Sequence, residues 1–122
     1  MNVFIVEDSA PVQQIMSDTV IAQGGNVVGI VDTAEAAMDS ILSAKPDFII
    51  LDLLLKQGSS MNVVRMVKRQ LPLTKIIVMT NQKPAIYMQR CLDAGVDYFL
   101  QKNAGDYRRL RELLATATPY DT

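Results

Sequence analysis

The run Phe48-Ile49-Ile50-Leu51-Asp52-Leu53-Leu54-Leu55 limits the folds open to this chain more than any other stretch, because it places a carboxylate at the end of an unbroken apolar segment. Four large apolar residues after the turn signal Pro46-Asp47 predict a strand buried on both faces, as at the centre of a parallel sheet. An ionised group inside such a strand would be costly. At the strand's carboxyl end the same group sits on the rim of the sheet, where open α/β folds form their binding crevice. Asp52 is therefore the first candidate for chemistry. An isolated Asp in this place is better explained as a strand terminator bonded to nearby amides, so the case rests on the other strand ends.

Those ends repeat the pattern. Asn2 to Val6 predicts a first strand, followed at once by Glu7-Asp8-Ser9. A helix follows, with Ser9 as a cap, Pro11 in its first turn, and Val12, Ile15, Met16, Thr19 and Val20 at helical spacing. Gly24-Gly25-Asn26 stops it, and Val27 to Val31 predicts a second strand. Asp32-Thr33-Ala34-Glu35 offers a cap and an acidic first turn for a helix whose apolar stripe is Ala34, Met38, Ile41 and Leu42. After the third strand comes the loop Lys56-Gln57-Gly58-Ser59, then a helix from about Ser60 with Val63, Val64, Val67 and Leu71 on one face. Ile76 to Met79 predicts a fourth strand ending in Thr80-Asn81. Lys83-Pro84 opens a helix with Met88, Cys91 and Leu92 inward and Gly95 at its C-terminal cap. Asp97 to Gln101 predicts a fifth strand leading to Lys102-Asn103. The last helix, about Gly105 to Ala117, sets Tyr107, Leu110, Leu114 and Ala117 on one side and Arg108, Arg109 and Arg111 on the other. Strands alternating with helices imply βαβ units with right-handed crossovers, hence an α/β fold: a five-stranded parallel sheet with five helices on both faces.

Composition removes several classes of function. The 122 residues suit a single domain, with a core of about residues 2–117 and a short tail at 118–122. No histidine is present, which excludes His-based acid/base catalysis, Ser-His triads and His-ligated zinc. Cys91 is the only cysteine, so the chain has no internal disulfide. Twelve basic against thirteen acidic residues give a net charge of −1 and no global attraction to nucleic acid. The apolar runs are too short to span a bilayer, and the start lacks the features of a secretory signal, so the expected location is cytoplasmic, with no membrane partner.

The polar residues that follow the apolar strands form a chemical set: Glu7 and Asp8, Asp52, Thr80 and Lys102. In a doubly wound sheet the carboxyl ends share one edge, so these residues converge on one crevice. Three neighbouring carboxylates repel one another unless a cation is present. Oxygen donors without His or Cys select a hard ion, and carboxylates combined with an incoming phosphate suit Mg²⁺. Lys102 adds a positive charge and Thr80 a hydroxyl donor, as the oxygens of an attached phosphoryl group would need. Taken singly, Glu7-Asp8 is an acidic helix start, Thr80 a helix cap and Lys102 a solvated rim charge; their joint placement favours a site.

Four motifs, in order and each at a strand end, resemble the receiver domain of two-component response regulators. They are Val3-Phe4-Ile5-Val6-Glu7-Asp8, Pro46 to Leu53, Ile77-Val78-Met79-Thr80, and Ala94 to Lys102. The resemblance covers nearly the whole chain and implies the flavodoxin-like strand order 2-1-3-4-5. It implies that Asp52 accepts a phosphoryl group from a phosphohistidine on a histidine kinase or histidine phosphotransfer protein. By the same resemblance Glu7, Asp8, Asp52 and the backbone carbonyl of Leu54 hold Mg²⁺. Thr80 and Phe99 are the switch residues, and Lys102 pairs with the phosphoryl group.

Some positions depart from the family pattern. Lys56 stands where many relatives have proline and Ser60 where glycine is usual. Asn103 replaces a proline that commonly follows the lysine through a cis bond, leaving the Lys102–Asn103 peptide open between cis and trans. Tyr98 occupies a position often acidic in regulators that dimerise through the last two helices and fifth strand, which weakens a dimer of that kind. Leu54 and Gln82 flank the site where relatives vary and are expected to influence the lifetime of the phosphoryl group.

The expectation is a phosphorylation-controlled switch that signals through protein contact at the fourth helix, fifth strand and fifth helix. It is not an enzyme beyond its own phosphoryl transfer and hydrolysis, and direct nucleic-acid binding is not expected. A stand-alone regulator is the first choice; a receiver cut from a larger transcriptional regulator and a non-phosphorylated interaction module are the alternatives. A dehalogenase-type phosphatase would want an aspartate where Leu54 stands, and a flavin phosphate would be repelled by Glu7-Asp8.

Overall fold

The computed structural model describes residues 1–81 and 85–116. Gln82, the proposed helix start Lys83-Pro84, the inward residue Ala117 and the tail 118–122 lie outside the described residues. The elements run β1 (Asn2–Val6), α1 (Ala10–Ala22), β2 (Asn26–Val31), α2 (Ala34–Ala44), β3 (Phe48–Asp52), α3 (Ser60–Gln70), β4 (Lys75–Thr80), α4 (Ala85–Asp93), β5 (Tyr98–Gln101) and α5 (Ala104–Thr116). The strands pair in parallel in the order β2-β1-β3-β4-β5. This is the flavodoxin-like order that the family resemblance implied.

The period-2 geometry of a strand explains why the central strands need to be apolar throughout. In β3, Ile49 and Leu51 point into a core shared with α2, α3 and α4, whereas Phe48 and Ile50 point into one shared with α1 and α5. β1 and β4 divide in the same way: Phe4, Val6, Ile76 and Val78 on the first face, Val3, Ile5, Ile77 and Met79 on the second. All five residues of β3 are buried, Asp52 included.

Local signals set most helix boundaries. Pro11 lies in the first turn of α1, where its missing N–H costs no helical bond. Ser9 occupies the capping position, but its side chain makes no cap bond; its backbone N–H donates to Glu7 Oε2 instead. Thr33 does cap α2, accepting from Ala36 N–H at 3.1 Å. Gly95 adopts φ 103° just beyond α4, a left-handed conformation suited to glycine.

The helix faces depart from expectation where a residue lies on the flank of its stripe. Ile15 is exposed, because the buried face of α1 is centred on Met16, Thr19 and Val20. Met88 and Leu92 are also exposed; α4 turns Tyr87 and Cys91 inward, and only Cys91 of this helix is fully buried. The stripes of α2 and α3 are inward as expected, with Leu71 serving as the C-cap of α3. Asn103 differs from the proline it replaces. No cis peptide bond occurs among the described residues, so Lys102–Asn103 is trans. Asn103 Oδ1 instead accepts from Asp106 N–H at 2.9 Å, and Asp106 Oδ2 accepts from Gln101 N–H at 2.6 Å, fastening the start of α5 to the end of β5.

Gly29 lies in β2, beside a register shift opposite Val3 and Phe4. A Cβ there would overlap the Phe4 ring, which is itself buried in the core and has little room to move. Gly29→Ala is expected to lower stability by about 1–3 kcal/mol, measured as a fall in the urea midpoint with the slope unchanged.

Candidate functional site

Every residue of the expected set reaches the same rim because it closes or directly follows a parallel strand. Glu7 and Asp8 follow β1, Asp52 ends β3, Thr80 ends β4 and Lys102 follows β5. All five border one cleft of roughly 280 Å³, together with Leu54, Lys56 and Asn81. A ligand oxygen from each of Glu7, Asp8 and Asp52 lies within 4.8 Å of the other two.

A buried ionic cluster forms the floor. Glu7 is 0% exposed and Asp52 5% exposed. The Lys102 ammonium stands 2.7 Å from Glu7 Oε1 and 3.4 Å from Asp52 Oδ2. Main-chain amides orient the carboxylates: Leu54 N–H donates to Asp52 Oδ1 at 3.2 Å and Lys56 N–H to Asp8 Oδ2 at 2.8 Å. Glu7 Oε1 is buried, and the group it meets is the Lys102 ammonium.

Burial and the Glu7 charge push the Asp52 carboxyl from its ordinary 3.8 up to about 6, against partial relief from Lys102 and from the Leu54 N–H. For Lys102, burial pulls the pKa down, but contact with Glu7 and then the Asp52 charge outweigh it, leaving the ammonium more basic than usual. Three carboxylates around one ammonium leave negative charge uncompensated. The donors are all oxygen, and their separation suits a single ion. The residues therefore fit a hard divalent cation.

Thr80 is buried at the end of β4 and lines the cleft. Phe99 is half-buried in β5 and packs against the core of α2, α3 and α4, outside the cleft lining. Two contacts were missed in the sequence. The Gln13 side-chain amide donates to the Glu7 carbonyl at 2.6 Å, across a spacing of six residues that follows no recognised pattern. The Ser60 hydroxyl donates to the Asp52 carbonyl at 2.5 Å, and the one available signal was a serine in place of the usual glycine.

A doubly wound parallel sheet with an acidic cluster and a lysine at its carboxyl rim defines the class as flavodoxin-like α/β domains with a charged rim site. The response regulator receiver domain family matches residues 3–115, and the chain belongs to that family, the receiver domains of two-component response regulators. Response regulator protein VraR of Staphylococcus saprophyticus is 29% identical over 103 residues, covering 84% of this chain and 49% of the relative. The chain spans about half the length of the curated relatives it matches. Two solved structures share the fold. A DNA-binding response regulator of the LuxR family from Staphylococcus aureus has a TM-score of 0.85 at 22% identity, covering 94% of this chain and 96% of that one. A CheY-like receiver domain protein from Methanospirillum hungatei has a TM-score of 0.84 at 20% identity, covering 94% and 90%.

The raised Asp52 pKa makes stability depend on pH. The folded state keeps this proton between about pH 4 and 6 while the unfolded chain has released it, so stability falls as pH rises through that window. Above it the buried, ionised carboxylate lowers stability relative to the unfolded chain. In buffer free of divalent ions, Asp52→Asn is expected to be about 1–3 kcal/mol more stable than the parent at pH 7.5, with the gap closing toward pH 4. Urea titrations at the two pH values check this, and a gap that does not depend on pH would contradict it.

Proposed function

We propose that the chain is a phosphorylation-controlled switch in which Asp52 accepts a phosphoryl group from a phosphohistidine on a histidine kinase or histidine phosphotransfer protein. The observation that carries this reading is the Asp52 carboxylate itself, amide-bonded through Oδ1, facing the Lys102 ammonium through Oδ2, and gathered with two further carboxylates. In the transfer step an Asp52 oxygen forms a bond to phosphorus as the bond from phosphorus to the donor imidazole nitrogen breaks, the electron pair leaving with the nitrogen. Glu7, Asp8, Asp52 and the Leu54 carbonyl would hold Mg²⁺, which supplies charge neutralisation and orientation for the phosphoryl oxygens. Lys102, already between Glu7 and Asp52, shifts its pairing to the new dianion.

The Thr80 hydroxyl donates to a phosphoryl oxygen, and the Phe99 ring moves with it, altering the surface of α4, β5 and α5. The result is a population shift between two arrangements, biased by a local change of charge. A downstream protein reads that surface in the cytoplasm, and the chemistry is confined to the domain's own phosphoryl transfer and hydrolysis. The half-length match to its curated relatives favours a second reading of the output: the receiver as one module of a longer transcriptional regulator, in which nucleic-acid contact belongs to another module. Both readings use the same site.

Intact mass after incubation with Mg²⁺ and acetyl phosphate tests the proposal. The expected outcome is a labile gain of one phosphoryl mass that requires Mg²⁺ and is absent from Asp52→Ala. Absence of both the adduct and Mg²⁺ binding would leave a receiver-shaped interaction module that is never phosphorylated. Sequencing the surrounding open reading frame separates the two outputs.

A further inference from the structure

Ser60 is the first residue of α3, eight residues after Asp52, and is 4% exposed. Its hydroxyl donates to the Asp52 main-chain carbonyl at 2.5 Å, both residues being out of solvent. This bond closes the base of the loop 53–59. The loop is fixed elsewhere by Lys56 N–H to Asp8 Oδ2, by Ala34 N–H to the Gln57 carbonyl at 3.3 Å, and by Gly58 at φ 86° against Ala34. It includes Leu54, whose N–H orients Asp52 Oδ1. A displacement of the Asp52 main chain therefore moves the phosphoacceptor oxygens and the Leu54 peptide together.

We propose that Ser60 is a positioning residue of the phosphoacceptor site: its hydroxyl clamps the Asp52 main chain to α3 and holds the Asp52 carboxylate and the Leu54 peptide in register for the metal and the incoming phosphoryl group. The inference rests on the phosphoacceptor reading above. Without the hydroxyl, a buried carbonyl loses a donor and the loop loses the bond that joins its ends. An outer contact that orients a metal ligand typically changes affinity by about 10–100-fold. Ser60 acts through the main chain and not on a ligand atom, which places it at the lower end.

The test compares the parent with Ser60→Ala, Ser60→Gly and Ser60→Thr. It measures the Asp52 carbonyl ¹³C shift by NMR, the Mg²⁺ dissociation constant by calorimetry, and the rate of adduct formation with acetyl phosphate at a fixed, subsaturating Mg²⁺ concentration. In Ser60→Ala and Ser60→Gly the carbonyl signal moves as a hydrogen bond is lost, Mg²⁺ binds about tenfold more weakly, and the rate falls with it. Ser60→Thr, which keeps the hydroxyl, stays within about twofold of the parent. NMR dispersion shows directly that each variant is folded, and the glycine variant stands in if the alanine variant is not. An unmoved carbonyl signal, unchanged Mg²⁺ affinity in the folded variants lacking the hydroxyl, or a threonine variant as weak as alanine each overturns the inference. A parent protein that neither binds Mg²⁺ nor forms an adduct overturns the phosphoacceptor reading itself, a result distinct from a competent parent matched by Ser60→Ala.

Discussion

One ammonium group ties the carboxyl rim of this sheet together. Lys102 leaves the end of β5 and meets Asp52 at the end of β3 and Glu7 beyond β1, passing the end of β4 where Thr80 lies. A parallel sheet covered on both faces leaves its ends as the place where such charges can be tolerated, and even there burial makes each one expensive. The cluster is therefore acceptable only as a unit. Removing the cation would strand two carboxylates, whereas removing a carboxylate would leave the other with a fuller share of the ammonium.

The unit is also incomplete. Burial first, and then the neighbouring Glu7 charge, make the ionised Asp52 costly, and its elevated pKa records that cost. Sites of this kind trade stability for chemistry: repulsion within the resting site becomes favourable free energy whenever a cation or a positively held ligand arrives. The apolar strands below make the trade possible. The two cores bury an uninterrupted set of side chains from β1, β3 and β4, so the rim can be strained while the sheet stays intact.

Much of this organisation was legible in the sequence. Unbroken apolar runs ending in polar residues placed β1, β3 and β4 and brought Glu7, Asp8, Asp52, Thr80 and Lys102 to one edge, because parallel strands share their direction. Strand order came from the family resemblance, since alternation of strands and helices does not by itself choose a permutation. Helix flanks were less legible: Ile15, Met88 and Leu92 fit a helical period, but period alone does not say which side the sheet will cover. Ser60 and Gln13 were hidden for another reason. Their contacts run to main-chain carbonyls, which every residue carries, so no pairing of side-chain types announces them.

The interior position of β1 bears on the order of assembly during synthesis. β1 pairs with β2 on one side and β3 on the other, so the first βαβ unit can form before β3 has been made, and β3 then adds to the opposite edge. Domains emerge amino-terminus first at about 5–20 residues per second. For several seconds the nascent chain has all three carboxylates but not the lysine that joins them. The sheet must grow outward to β5 before its charges can be matched, so the acidic cluster stays open until the fifth strand and the lysine that follows it have been made.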